Sequence, residues 1–160
     1  MVQVDGLDRL LREHPFFREF DAEALALMAG CARNERFEAG QVILRAGDAA
    51  DRFYILRHGD VAVEVAIPGR GRRPLETLHA GDILGWSWLV PPYRLTFDAR
   101  ALTLVRAISL DAACLRAKME ENHEMGYRLL QRFVPVMAER LTAARLQLQD
   151  LYGPSAAPVL

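Results

Sequence analysis

Lysine is almost absent from this sequence: it occurs once, at Lys118, among 20 basic residues. The net charge is −1 and the arginines are spread along the chain, so no overall field favours nucleic acid. Apolar runs long enough to span a bilayer are missing, as is a basic N-terminal segment followed by an apolar core. We therefore expect no membrane segment, no secretory signal and a cytoplasmic location.

Cysteine and histidine are also scarce. Cys31 and Cys114 are far apart in sequence and have apolar neighbours, which predicts two buried free thiols in a reducing compartment. A metal-dependent enzyme needs clustered histidines and a carboxylate, but no His-x-His pair occurs among His14, His58, His79 and His123. We expect no metal site, no catalytic residues and no enzymatic activity.

Hydrophobic residues make up 51% of the 160 residues, enough for the core of one domain. Leu7, Leu10 and Leu11 predict a first helix, which Asp5 caps and Pro15 ends. Asp21 and Gly30 predict the two ends of a second helix. The phenylalanines between the helices should fix this helical cap to the rest of the chain: Phe16, Phe17 and Phe20.

From Arg33 the apolar period becomes alternating, and glycine turns recur at 39–40, 46–48, 58–60 and 80–82. The segments between them predict short strands at 42–44, 53–56, 61–65, 75–78, 100–105 and 107–110. Many short strands joined by glycine turns indicate an antiparallel roll. The predicted fold is α+β: an antiparallel β-roll or jelly roll (double-stranded β-helix) with an N-terminal helical cap and a long C-terminal helix.

Asp111 should cap a helix from Ala112 to about Glu121, and Asn122 a longer helix from His123 to about Leu151. Apolar residues three or four apart form a stripe on the longer helix: Leu130, Phe133, Met137, Leu141, Ala144, Leu148 and Leu151. One domain needs no helix of that length, so we expect the stripe to pair with a second copy. The alternative is a helix folded back on its own roll. Pro135 predicts a kink or a division.

These elements predict one domain over residues 1–152. It would comprise the helical cap (5–31), the β-roll (33–110) and the C-terminal helices (111–152). The remaining residues, 153–160, are rich in proline and alanine and predict a flexible tail.

Residues 81–101, called the cassette segment below, do not have the sequence pattern of an ordinary hairpin, because two tryptophans, two prolines and a tyrosine follow closely after Gly85. Gly85 permits close approach of the backbone to a ligand, and Arg94 is a fixed positive charge suited to an anion. We predict that the segment binds a small anionic ligand through Gly85, Trp86, Ser87, Trp88, Tyr93, Arg94 and Thr96. The alternative is a tryptophan-rich plug that fills the mouth of the roll.

The glycine turns also carry a family resemblance. Residues 37–43 (FEAGQVI), 46–48 (AGD) and 51–61 (DRFYILRHGDV) closely resemble the cyclic-nucleotide-binding domain of the catabolite activator protein (Crp/Fnr) family, and the likeness runs from about Leu7 to Tyr152. The resemblance implies a phosphate-binding cassette that holds the cyclic phosphate and ribose, beside a helix that dimerises and can close over the base. Cyclic AMP and cyclic GMP are then the candidate ligands.

The resemblance is uneven inside the cassette segment. The family has a Glu that accepts from the ribose hydroxyl where this chain has Trp86, and an indole accepts no hydrogen bond. The family Arg that pairs with the phosphate falls at Leu95, with Arg94 one residue away. Family members that recognise adenine offer a hydroxyl midway along the long helix, which makes Thr142 the candidate base-side contact.

Transcription-factor members of the family continue into a helix-turn-helix domain. Too few residues follow Tyr152 for a recognition helix, so we expect no direct DNA binding and a separate protein partner instead.

Two functional hypotheses follow. In the first, a regulatory sensor binds a cyclic nucleotide or another small anion and shifts the helix or the dimer interface. In the second, a pseudo-receptor has its pocket filled by aromatic rings and acts as a dimeric interaction module; the rings are those of Trp86, Trp88, Tyr93 and Phe97. Indole rings in the place of the ribose, with no cavity large enough for a nucleotide, would favour the second hypothesis, whereas a ligand-sized cleft lined by Arg94 would count against it.

Overall fold

The computed structural model describes the backbone of residues 4–152 and the side chains of residues 6–151. Two helices come first: α1 spans Val4–Glu13 and α2 spans Ala22–Ala29. Because α1 already includes Asp5, the prediction that Asp5 precedes and caps it is wrong. The predicted flexible tail, 153–160, lies outside the described residues.

The helical cap forms as the sequence predicts. The Asp21 Oδ1 accepts a hydrogen bond from the Ala24 backbone N–H at 2.8 Å, and Gly30 follows the last turn of α2. An N-cap of this kind satisfies a backbone donor that has no partner within the helix. The predicted anchors between the two helices are all buried: Phe16, Phe17 and Phe20.

Within residues 4–152, eight strands form two antiparallel four-stranded sheets, which confirms the predicted β-roll. The strands are β1 (Ala32–Phe37), β2 (Val42–Leu44), β3 (Arg52–His58), β4 (Val61–Ile67), β5 (Gly71–Leu78), β6 (Ile83–Leu84), β7 (Asp98–Ala101) and β8 (Val105–Asp111). One sheet has the order β1-β8-β3-β6, and the other has the order β2-β7-β4-β5.

Two strand predictions need correction. The strand expected over 100–105 is interrupted, because β7 ends at Ala101 and β8 begins at Val105. Between them the Thr103 hydroxyl accepts from the Asp60 N–H at 3.0 Å, so the chain turns there against the β3–β4 turn. The predicted strands do not include β1, whose residues 33–36 are polar and in which Ala32 is the one buried residue.

Strand β3 separates two hydrophobic cores. Phe53 and Ile55 contribute to a core shared with the helical cap and the C-terminal helices, whereas Tyr54 and Leu56 contribute to the core between the two sheets. Successive side chains of a strand point to opposite faces, so one strand can serve both cores. This explains why its four central residues are all buried.

Two helices end the described chain: α3 spans Ala112–Glu121 and α4 spans His123–Tyr152. The predicted caps are confirmed. The side-chain Oδ1 of Asp111 accepts from the Cys114 N–H at 2.8 Å, and the side-chain Oδ1 of Asn122 accepts from the Met125 N–H at 3.0 Å. Helix α4 runs through Pro135 without interruption, so the helix is not divided there, and the predicted kink stays a prediction. No helix within residues 4–152 is long and apolar enough to cross a membrane.

Basic side chains of α3 and α4 donate hydrogen bonds to main-chain carbonyls elsewhere in the fold. The donor–acceptor distances are 2.6 to 2.9 Å. The bonds are Arg116 to Trp88 O, Lys118 to Leu27 O, and Arg132 to both Phe16 O and Pro15 O.

The two cysteines are joined in a disulfide, so the prediction of two free thiols is wrong. Their Cα atoms lie 5.7 Å apart although 83 residues separate them in sequence. The end of α2 lies beside the start of α3, where the Asp111 N–H donates to the Cys31 carbonyl at 2.9 Å. Sequence distance alone concealed this proximity.

His14 is buried where α1 ends, and its ring is held in the neutral form. Its Nδ1 accepts from the Phe16 N–H at 3.3 Å, so the Nε2–H donates to the Leu56 carbonyl at 3.2 Å. Burial lowers the pKa of His14 below its ordinary 6.5 and outweighs the opposing effect of the hydrogen bond to Leu56.

We expect His14 to make the fold less stable in mild acid. The unfolded chain takes up a proton near pH 6.5, whereas the folded chain does so only at lower pH. The free energy of unfolding should therefore decrease as the pH falls below 6.5 toward the lowered pKa. Urea unfolding from about pH 7.5 to about pH 5 should show this loss, and His14→Gln should flatten the profile.

The matched control is His58→Gln, since His58 is exposed at the end of β3. That variant should keep the wild-type pH profile. An unchanged slope in His14→Gln would contradict the assignment.

Candidate functional site

The cassette segment leaves the roll at a tight turn. The Leu56 N–H donates to the Asp82 carbonyl at 3.0 Å, and the Gly81 N–H donates to the Leu56 carbonyl at 2.8 Å. After β6, Gly85 has a φ of 94°, in the left-handed region that favours glycine. The backbone therefore turns sharply at the residue that the sequence singles out.

Trp88 anchors the cassette segment in the core of the protein. It lies in a short 3-10 turn, is fully buried, and stacks on Phe53 with ring centroids 4.9 Å apart. Phe133 of α4 meets the indole edge to face at 5.4 Å. Because these contacts enclose the ring, Trp88 fills a structural position and is not exposed to a ligand.

Tyr93 and Arg94 lie on the outer side of the segment. The Arg116 guanidinium stacks over the Tyr93 ring, 4.3 Å from its centroid. The Arg94 Nη1 donates to the Gly47 carbonyl at 3.4 Å, and its exposed side chain lines a polar cleft of about 400 Å³ together with Arg45 and Asp48.

Leu95, the next residue, is buried and lies between this cleft and a second cavity, lining both. Residues around Arg94 pair with Ala49 in an antiparallel bridge, and adjacent side chains on extended backbone point to opposite faces. A shift of one residue along the chain thus decides which side chain is buried. Here the apolar Leu95 is buried, and the charged Arg94 is exposed.

A second cavity, with a volume of about 700 Å³, lies between the β2-β7-β4-β5 sheet and α4. It brings together four of the seven cassette residues predicted to bind a ligand: Gly85, Trp86, Ser87 and Thr96. The other three lie outside it: Trp88, Tyr93 and Arg94.

The wall of this cavity is largely apolar. The strands and the cassette segment contribute Leu44, Val63, Val65, Leu75, Leu84, Leu95, Phe97 and Ala99, besides Trp86. Helix α4 contributes Val134, Met137, Ala138, Leu141, Ala143 and Ala144. An occupant would therefore contact both the cassette segment and α4.

Arg140 of α4 lines this cavity with a positive charge, and it is not among the residues predicted to bind a ligand. Its Nε lies 3.5 Å from the Glu76 Oε1, and its Nη2 donates to the Ile83 carbonyl. Burial lowers the pKa of Arg140, while the carboxylates of Glu76, Asp82 and Glu139 act in the opposite direction. Glu76 is on β5, so only the folded chain reveals the pair.

A second polar contact holds α4 over the cavity. The Gln147 Nε2 donates to the Leu75 carbonyl at 2.7 Å. Arg140 and Gln147 are seven positions apart on α4, two helical turns, and therefore lie on the same face. Together they hold the helix to β5 and β6. Thr142, the predicted base-side contact, is exposed and does not line the cavity.

The predicted stripe on α4 divides into two parts. Phe133 is fully buried in the chain's own core, and Met137 is half-buried at the cavity, as a helix folded back on its own roll requires. The remaining members of the stripe are exposed: Leu130, Leu141, Ala144, Leu148 and Leu151.

Comparisons with known proteins agree with this architecture. A family model for the cyclic nucleotide-binding domain matches residues 34–122. A CRP-like cAMP-activated global transcriptional regulator of Mycobacterium tuberculosis is 27% identical over 145 residues, which cover 91% of this chain. The chain spans 63% of that regulator's length.

Solved structures give the same result. A Geobacter metallireducens protein described as a cyclic nucleotide-binding protein is 27% identical, with a TM-score of 0.74 and coverage of 88% of this chain and 99% of that one. The catabolite activator protein of Thermus thermophilus is 21% identical, with a TM-score of 0.69 and coverage of 86% and 62%, a likeness of fold. The resemblance stated from the glycine turns is confirmed.

The two tryptophans of the cassette segment should differ in their effect on stability. Trp88→Ala should lower the free energy of unfolding by about 3–5 kcal/mol, because it empties a fully enclosed site. Trp86→Ala should cost markedly less, because Trp86 is half-buried and faces an open cavity. Urea unfolding followed by circular dichroism measures both, and equal losses would contradict the different positions assigned to the two rings.

Proposed function

The chain belongs to the cyclic nucleotide-binding domain family, and we propose that it is a non-enzymatic regulatory module that binds a small molecule between the cassette segment and α4. The observation that carries the proposal is the cavity of about 700 Å³, whose wall is shared by these two elements. Its volume lies within the range of small-molecule pockets, roughly 300–1,000 Å³.

The aromatic side chains do not fill this cavity. Trp88 is in the core, Tyr93 is on the outer side, and Trp86 and Phe97 form part of the wall. This supports a receptor over the alternative of a plugged pocket. A ligand can therefore be accommodated without moving the buried ring of Trp88.

Helix α4 is the element that would report binding. It contributes apolar side chains to the cavity and is held over it by Arg140 and Gln147, which donate to carbonyls of β6 and β5. A ligand that displaced either contact would change the position of the helix relative to the roll, and a partner could detect the change.

Cyclic AMP and cyclic GMP are the candidates that family membership supplies. The geometry does not support Arg94 as their phosphate partner, because Arg94 faces a different cleft. Leu95, at the family's arginine position, lines the cavity as well as that cleft. We therefore propose that the chain binds cyclic nucleotides weakly through this altered cassette.

We further propose a homodimer through the second half of α4 and a separate protein partner that detects the helix. Large apolar side chains are exposed along α4, beginning at Tyr127 and Val134 and continuing at Leu141, Leu146, Leu148 and Leu151.

A cytoplasmic location stays a prediction. The expected free thiols of Cys31 and Cys114 no longer support it. The two residues form a disulfide, and disulfides are rare in reducing compartments such as the cytoplasm.

Supplying the missing polar groups should convert the cavity into a better nucleotide site. Trp86→Glu with Leu95→Arg offers an acceptor and a cation at the two cassette positions, so affinity for cyclic AMP should rise by about tenfold or more over wild type. Calorimetry measures the affinity, and hydrogen exchange should show altered protection of α4 on binding. Arg94→Ala should leave wild-type affinity unchanged.

Trp86→Glu alone is the control for the altered ring, and circular dichroism verifies that each variant folds. A folded double variant that binds no more tightly than wild type would contradict the assignment of the cavity. Loss of affinity in Arg94→Ala would show that the outer cleft is the ligand site.

The proposed dimer has a matched pair of variants. Leu148→Glu adds a charge to an exposed apolar position of α4, whereas Gln149→Glu adds the same charge to an exposed polar position beside it. Light scattering after size exclusion should give a monomer mass for Leu148→Glu and a dimer mass for Gln149→Glu and wild type. A wild-type monomer would contradict the proposal.

A further inference from the structure

We propose that the cavity binds an uncharged, mostly apolar small molecule in preference to an anion such as a cyclic nucleotide. This inference rests on the proposed function, because it assigns a ligand class to the same cavity. Its basis is the chemistry of the wall and the charge balance around Arg140.

The wall offers a ligand chiefly apolar contact. Valine side chains of β4 (Val63 and Val65) face Val134, Met137 and Leu141 of α4 across the cavity. Apolar ligand surface buried between them contributes roughly 25 cal/mol per Å². A ligand of rings or alkyl groups therefore gains affinity over most of its surface.

The charges do not favour an anion. Arg140 is the one cation lining the cavity within the described residues, and two carboxylates, Glu76 and Asp98, line it as well. Glu76 pairs with Arg140 at 3.5 Å, and Asp82 and Glu139 add negative charge nearby. The guanidinium is therefore already neutralised by its own chain.

An entering phosphate would have to displace Glu76 from Arg140 or remain unpaired. Either route leaves a negative charge without a partner in a largely apolar space, which is strongly unfavourable. Asp98 does not help to bind a phosphate, because it is itself negatively charged. Its buried carboxylate accepts from the Ala46 N–H at 2.7 Å, and its Oδ2 lies 3.7 Å from the Arg72 Nε.

Polar recognition is limited to a few uncharged groups. The hydroxyls of Ser87 and Thr96 lie on the cassette side of the wall, and the Gln147 amide lies on the helix side. These groups suit one or two hydrogen bonds from a hydroxyl, a carbonyl or an amide of the ligand. The expected ligand is thus apolar over most of its surface, with a small uncharged polar end.

Two fluorescent probes of similar size and different charge test the inference. N-phenyl-1-naphthylamine is uncharged, and 1-anilinonaphthalene-8-sulfonate carries a sulfonate; both brighten in apolar surroundings. The uncharged probe should bind the wild-type protein at least about tenfold more tightly than the sulfonate, and micromolar cyclic AMP should not displace it.

Three variants locate the probe and test the charge argument. Ala138→Trp fills the cavity from an exposed helix position and should abolish binding, whereas Ala113→Trp, at an exposed position of α3 away from the cavity, should not. Glu76→Gln frees Arg140 and should raise the affinity of the sulfonate by about tenfold while leaving the uncharged probe unchanged.

The outcomes separate this inference from the proposed function. If the sulfonate binds wild type as tightly as the uncharged probe, or if micromolar cyclic AMP displaces the probe, the cavity is an anion site: the inference is wrong and the proposed function stands. If neither probe nor cyclic AMP binds in a manner that Ala138→Trp blocks, the cavity is not a ligand site and both fail.

Discussion

Four aromatic rings from four parts of the chain meet at one point, and the arrangement of the protein depends on their packing. Phe16 of the helical cap and Phe53 of β3 lie 5.0 and 5.1 Å from Phe133 of α4, and Trp88 of the cassette segment lies 5.4 Å from the same ring. Because close-packed interiors do not deform continuously, none of these elements can shift at that point without the others. The fixed end of α4 is thus set by the same contact that anchors the cassette segment.

Beyond that junction, the character of α4 changes. Its first half buries Met125, Leu129 and Phe133 at intervals of four residues, as a helix packed on its own domain does. From Leu141 to Asp150 every residue is exposed, and the helix is held by single polar contacts. A helix anchored at one end and loosely held at the other is suited to moving in response to what lies beneath it.

Much of the fold could be predicted because its signals are local. Asp21, Asp111 and Asn122 each cap the helix that follows within three residues, and the recurring glycine turns delimit the strands. The interactions that escaped prediction join distant segments. No spacing indicates that Cys31 meets Cys114 or that Arg140 meets Glu76, because only the folded chain brings those pairs together. At Arg94 the difficulty was a single residue: strand alternation turns the charge outward and sends Leu95 inward.

The polar contacts that hold α3 and α4 have a common property with an evolutionary consequence. Arg116, Lys118, Arg132, Arg140 and Gln147 all donate to carbonyl oxygens of the main chain. Every residue type supplies such an oxygen, so substitutions in the accepting loops and strands leave these bonds available as long as the backbone keeps its path. The side chains that line the cavity can therefore change while α3 and α4 keep the same hydrogen bonds to the rest of the chain.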